Sequence, residues 1–302
     1  MSFLPPPYCA ICSGITVRIR PDSLCDLLRN LCAIYSGFCS LITTGEPLSP
    51  NEIDRRLVWR IRNECKKCAP LKRLDVFLES GGGDPDAAYL IITCLKAKCE
   101  ELRIFIPNWA KSAATLLCLG ADEIWMSDTA ELGPLDAQIQ DPRAPQEGRV
   151  SALEQFRAMD YLKTYSFEML DTYVNMLLDR VPTMRLKDML DEATPFVTQL
   201  MASLYGQIDP MHFGASYRAL DIAIEYGRRI TTRHKKDKTR DDIIRILGRL
   251  TWQYPSHSFV IDRTEAKEMG FNVMELTDEL EEFADIISEN LQAWFGFMEV
   301  AK

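Results

Sequence analysis

Residues 74–98, LDVFLESGGGDPDAAYLIITCLKAK, read as a strand, a glycine turn and a helix with almost nothing between them. LDVFLES has the apolar and aromatic content of a buried strand. It runs straight into Gly81-Gly82-Gly83, and Asp84-Pro85 then opens a helix whose apolar richness implies burial on much of its surface. Proline fits the first helical position because its missing N–H has no intrahelical partner there. The same succession follows at once. LRIFIP (102–107) is a strand, Ser112 to Leu119 a short helix stopped at Gly120, and DEIWMS (122–127) the next strand. Upstream, FCSLITT (38–44) is another strand candidate. SPNEIDRRLVWRIRNECKK then carries a capping box, with Ser49 as N-cap, Pro50 at the first helical position and Glu52 at the third. Strands and helices alternating at this pace imply right-handed crossovers and a largely parallel sheet.

The pattern changes after ELGPLDAQI (131–139). A polar, proline-containing loop (141–149) leads into helical stretches at about 150–181, 185–206 and 215–231. We therefore expect an N-terminal extension over 1–35 and one α/β domain over 36–302. Its core would reach to about residue 140, with helical and C-terminal additions from about 150. The last stretch has apolar residues at 276, 280, 283, 287, 291 and 294, near helical spacing, and reads as a closing helix or a subunit contact.

Charge and cysteine usage narrow the function. A net charge of −9 argues against a general nucleic-acid binder, which needs a basic footprint. The seven Lys and Arg residues of 228–240 read as a solvated connection. No window is long and apolar enough for a membrane span, and the start shows no basic and apolar leader, so the expected location is cytoplasmic. Ten cysteines then read as reduced, mostly buried thiols. Cys9-x-x-Cys12 and Cys65-x-x-Cys68 have the spacing of a four-thiolate structural zinc site, across a longer gap than a compact zinc ribbon allows. The expectation is no metal and no organic cofactor.

Ser112 alone reads as a helix N-cap, the commonest use of serine at such a place. Gly81-Gly82-Gly83 alone is a strand-to-helix turn; it lacks both the Gly-Lys-Ser/Thr ending of a phosphate loop and the dinucleotide G-x-G-x-x-G form. Taken together they say more. Two successive strands end in loops at 80–84 and 108–113 that lead into helix N-termini, and in an open parallel sheet such loops share the ligand-binding edge. A glycine at 82 or 83 lets a backbone N–H approach a carbonyl, and the amide of Ala113 supplies a second donor. Two such donors are what a developing oxyanion needs, each commonly about 3 kcal/mol in the transition state.

The order strand, ESGGGD, helix, strand, AKSAATLLCLGADEIWMSDTAELGPLD resembles the Clp-protease/crotonase superfamily over about residues 36–140. Within it the chain is most similar to the signal peptide peptidase A branch and the related serine dehydrogenase proteinases. YPSHSFVIDRTEAKEMGFNV (254–273) is similar to a C-terminal segment of the latter family. The resemblance implies a Clp/crotonase-like spiral of β-β-α units and a serine peptidase with Ser112 as nucleophile. It implies an oxyanion hole from the amides of Gly82, Gly83 and Ala113, and substrate contacts at Gly81 and Asp136, the aspartate reading equally as a structural turn residue. It also implies a peptide or protein substrate and a homo-oligomer. No nicotinamide fingerprint supports the dehydrogenase part of the name.

A serine hydroxyl needs a base. The histidine that Clp peptidases place a couple of dozen residues after the serine is absent from AELGPLDAQIQ. Signal peptide peptidases use a lysine roughly fifty residues on, and Lys163 stands 51 residues beyond Ser112. It is the only lysine between 112 and 186, and its neighbours Tyr161, Leu162, Tyr165 and Phe167 can desolvate it. His257, with Asp262 as orienter, and His212 are the alternatives, while Lys111 should point elsewhere, to solvent or an acidic neighbour. Two other functions stay open. One is a crotonase-type acyl-CoA enzyme using a carboxylate such as Glu79 or Asp84; the other is a catalytically silent scaffold.

Overall fold

The computed structural model describes residues 38–42, 52–67, 69–140, 149–235, 237–278, 280–281 and 294–299. The chain divides into two compact units, one holding the part up to Leu135 and from Ile222 onward, the other Asp136–Asp221. In chain order the strands are β1 (Phe38–Ile42), β2 (Glu52–Ile53), β3 (Leu71–Glu79), β4 (Gly82–Gly83), β5 (Cys99–Ile106) and β6 (Trp109–Ala110). Then come β7 (Glu123–Met126), β8 (Glu131–Leu132), β9 (Gln138–Gln140), β10 (Arg149–Ser151), β11 (Val273–Glu275) and β12 (Trp294–Glu299).

The first unit is built on a six-stranded sheet of order β1-β12-β3-β5-β7-β11. From β3 to β11 the pairs are parallel, while β12 runs antiparallel to both β3 and β1. This is the α/β fold, largely parallel, that the strand–helix alternation predicts. Alternation along each strand decides what each face does. Leu74, Val76 and Leu78, Leu102, Ile104 and Ile106, and Ile124 and Met126 share one core with Leu57 and Ile61 and with Ala88, Ile91, Ile92 and Leu95. Those partners belong to helices Arg55–Lys67 and Pro85–Lys96. The opposite face carries Asp75, whose carboxylate takes both Arg103 Nε and Nη2. Phe77, Phe105 and Trp125 stack beside that pair at 4.8 and 5.4 Å between centroids.

Helix starts follow local chemistry. Asp84 caps the Pro85–Lys96 helix, its Oδ1 accepting from Asp86 N at 2.8 Å, as the Asp-Pro start predicts. The capping box expected further upstream is corrected. Glu52 and Ile53 form β2 against Gly82-Gly83, and Asp54 takes the cap by accepting from Arg56 N and Leu57 N, both at 2.9 Å. Backbone pairing outweighed the Ser-Pro signal; Ser49 and Pro50 themselves lie outside the described residues.

The second unit holds the β9–β10 hairpin, helices Ala152–Arg180 and Leu186–Tyr205, and the first part of Pro210–His234. Met189, Ala193, Val197 and Met201 line one buried stripe of the Leu186–Tyr205 helix at four-residue spacing. The apolar spacing near the C-terminus is only partly a helix. Residues 294–299 are a strand, β12, inserted between β1 and β3, and 282–293 lie outside the described residues. Aromatic content favours a strand there. No described helix is long and apolar enough to cross a membrane.

Candidate active site

β3 and β5 run parallel, so their carboxyl ends meet at one edge of the sheet. The loops that leave them are tied backbone to backbone, Ser80 N to Trp109 O at 3.2 Å and Lys111 N to Ser80 O at 3.0 Å. That tie brings the glycine turn against the serine turn. A Cβ on Gly82 would fall 2.8 Å from Ser112 Cβ, 2.8 Å from Lys111 O and 3.1 Å from Ala113 N. Only glycine admits this approach, and its φ of 113° is one other residues rarely adopt. Gly83 serves a different contact, since its Cβ would meet Ile53 O at 2.4 Å where β4 pairs with β2. Gly81 has open space around the same position. Ser80 is a turn residue; its buried hydroxyl accepts from Gly82 N at 3.1 Å.

Ser112 has φ 53° and ψ −116°, and among the described residues it alone combines a side chain with positive φ. It stands second in a turn closed by Ala114 N to Lys111 O at 2.9 Å, the place of a primed turn that glycine usually holds. Such a conformation costs about 1–3 kcal/mol. Its hydroxyl makes no capping hydrogen bond to the helix Ala113–Cys118 that it precedes. The ordinary reason for a serine here is therefore not how this serine is used. A serine on a strained strand-to-helix turn is a candidate for more than a cap. Ala113 is the first helical residue, so its N–H has no acceptor within the helix.

The surroundings hold this turn tightly. Thr115 Oγ1 lies 2.7 Å from the carbonyl oxygens of both Ala110 and Gly133, and with one proton donates to one at a time. Lys111 turns to an acidic neighbour as expected, its Nζ 2.6 Å from Glu131 Oε1 and donating to Ser258 O at 3.1 Å. That second bond places the His257–Ser258 turn at the residue before Ser112. Leu132 and Ile261 exchange backbone bonds of 2.9 and 3.0 Å alongside. Asp262 caps the Arg263–Met269 helix, its Oδ1 accepting from Glu265 N at 2.7 Å. Glu79 accepts from Asn108 Nδ2 at 2.9 Å, and burial pushes its carboxyl up against the opposing effect of that bond.

The remaining sequence candidates belong to the second unit. Buried Asp136 accepts from Leu153 N at 3.3 Å and so anchors the start of the Ala152–Arg180 helix, together with Ser151. Lys163 lies exposed on that helix. Its neighbours Tyr161 and Phe167 are 65% and 61% exposed, so the unit itself supplies little desolvation there. His212 is buried, with Nε2 lacking a hydrogen-bond partner among the described residues. Of the four zinc-spaced cysteines, Cys9, Cys12 and Cys68 lie outside the described residues, and Cys65 is buried in the core of the first unit. No metal-holding group of His, Cys, Asp and Glu occurs among the described residues. Sequence reading missed Glu131 and the reach of the 254–262 segment, because both depend on pairings remote in the chain.

A largely parallel α/β sheet with a glycine turn packed on a strained serine fits a Clp/crotonase-like fold. Residues 55–180 match the family described as ClpP-like SDH-type serine proteinase. A segment of 84 residues is 40% identical to Uncharacterized protein MJ0137 of Methanocaldococcus jannaschii, over 28% of this chain and 29% of that protein. Another of 66 residues is 36% identical to Uncharacterized protein MJ1495 of the same organism, over 22% and 23%. The chain thus spans less than a third of either curated relative.

Proposed function

We propose that this chain is a serine peptidase of the signal peptide peptidase A-like kind, cleaving peptide bonds through an acyl-enzyme on Ser112. The observation that carries the proposal is the Ser112 turn, strained at φ 53° and packed against Gly82. Ser112 Oγ attacks the scissile carbonyl carbon and loses its proton to the base. The carbonyl oxygen becomes an oxyanion held by the amide of Ala113 and that of Gly82 or Gly83. Collapse expels the amine with the proton from the base, and water then hydrolyses the ester by the same route. Gly82 N–H donates to Ser80 Oγ, so a substrate oxygen must displace that hydroxyl to use this amide.

Lys163 is the base by its spacing, with Asp136 shaping the groove. A second assignment has an observation of its own: the His257–Ser258 turn is bonded to Lys111, next to Ser112, within one unit. The substrate is an extended peptide or protein segment paired along the glycine strand. Residues 36–302 act as one peptidase domain, cytoplasmic, homo-oligomeric and free of metal or organic cofactor. The acyl-CoA alternative is disfavoured because Glu79 is bonded to Asn108 and Asp84 caps a helix.

Fluorophosphonate labelling with intact-mass detection tests the proposal. One adduct is expected on the wild type, absent from Ser112→Ala. Loss in Lys163→Ala with retention in His257→Ala assigns the lysine, and the reverse assigns the histidine. A folded wild type that takes no adduct, or an adduct that survives Ser112→Ala, sinks the assignment.

A further inference from the structure

We infer that the Lys111–Glu131 ion pair is a positioning clamp that holds Ser112 in its strained turn, with the Ser258 carbonyl as its third member. The inference rests on Ser112 being the nucleophile. A residue at φ 53° stays there only where its surroundings over-determine it. Backbone bonds fix Lys111 on two sides, N–H to Ser80 O at 3.0 Å and C=O from Ala114 N at 2.9 Å. The Lys111 side chain adds restraints of its own. It runs over Gly133, where a Cβ would come within 2.8 Å of Lys111 Cβ and Cγ, and ends 2.6 Å from Glu131 Oε1 and 3.1 Å from Ser258 O.

Each end of the clamp is itself anchored. Glu131 begins β8, which pairs in parallel with β6, and Ser258 lies in the segment whose Ile261 bonds to Leu132 on both sides. The residue before the serine is thereby fastened to two separate backbones. The two charged side chains are only 16% and 21% exposed. A lysine so far removed from water is uncommon, and apolar residues would fill the space as well. What the charges add is direction, since one ammonium reaches a carboxylate and a carbonyl at once.

The test is saturation labelling with a fluorophosphonate, which separates inactivation rate (kinact) from binding (KI). The set is wild type, Lys111→Met, Lys111→Arg, Glu131→Gln and the double variant Lys111→Met/Glu131→Gln, with thermal unfolding followed in parallel. Positioning predicts that Lys111→Met lowers kinact by about tenfold or more while KI stays within about twofold. Glu131→Gln should do likewise, and the double variant should be no worse than the poorer single one. Lys111→Arg should recover most of the rate. A kinact in Lys111→Met equal to wild type, or one that merely tracks a smaller folded fraction, overturns the clamp. Should Lys111→Met fail to fold, Glu131→Gln carries the same comparison. An unlabelled wild type instead overturns the nucleophile assignment on which the clamp rests.

Discussion

At the scale of single residues, three adjacent glycines are not equivalent, and the difference is measurable. Gly81 looks onto open space, Gly82 touches the Ser112 turn, and Gly83 touches Ile53. Gly81→Ala should leave both unfolding midpoint and labelling rate nearly unchanged. Gly82→Ala must push Ser112 and Lys111 O apart while adopting a φ that alanine rarely takes, so labelling should fall by about a hundredfold or more, the effect of a misplaced reacting group. Equal labelling of the two variants would mean that the close approach at Gly82 does not matter to the site. The triple glycine and Ser112 were both legible in the sequence as a pair of strand-to-helix loops. Which glycine carries the approach was not, because that is decided by ångström contacts between loops about thirty residues apart.

At the scale of elements, β3, β5 and β7 and the helix after the glycines were legible because their apolar periodicity is strong. β12 was hidden because a six-residue strand at the end of an apolar stretch looks like the tail of a helix. The short β2 was hidden behind a capping signal that its pairing with β4 overrides. The β3–β5 pair also carries a charge that no periodicity reveals. Asp75 is fully buried and holds Arg103, which lies over Phe105 and Trp125 at 5.2 and 5.3 Å from their centroids. Burial alone would ease the proton off Arg103, but the bonds and charge of Asp75 more than reverse this, so the guanidinium stays charged. Removing one partner strands the other charge. Asp75→Ala should therefore cost about 3–5 kcal/mol, whereas a double apolar replacement at 75 and 103 should cost far less. Urea unfolding of the single and double variants decides it; equal losses would mean that the pair is only incidental to the sheet.

At the scale of the molecule, the division into two units predicts an uneven stability. Among the described residues most buried apolar side chains belong to the first unit, the second contributing Ala152, Leu153, Met189, Ala193, Val197, Met201 and Leu220. In the second, the Ala152–Arg180 helix buries only Ala152 and Leu153, while Tyr161, Phe167, Leu186 and Met211 are each more than 60% exposed. Protection against hydrogen exchange follows buried apolar contact. Amides of Ala152–Arg180 and Leu186–Tyr205 should therefore open at a lower free energy than those of β3 and β5 when exchange is followed by mass spectrometry at low protein concentration. If the helices are as protected as the sheet, their apolar faces are covered by more than this chain supplies within the unit. Protection that then falls on dilution identifies the cover as a second copy, which is the homo-oligomer proposed above. Protection unchanged on dilution refutes the uneven stability itself, and with it the idea that the helical unit's open faces are what draws copies together.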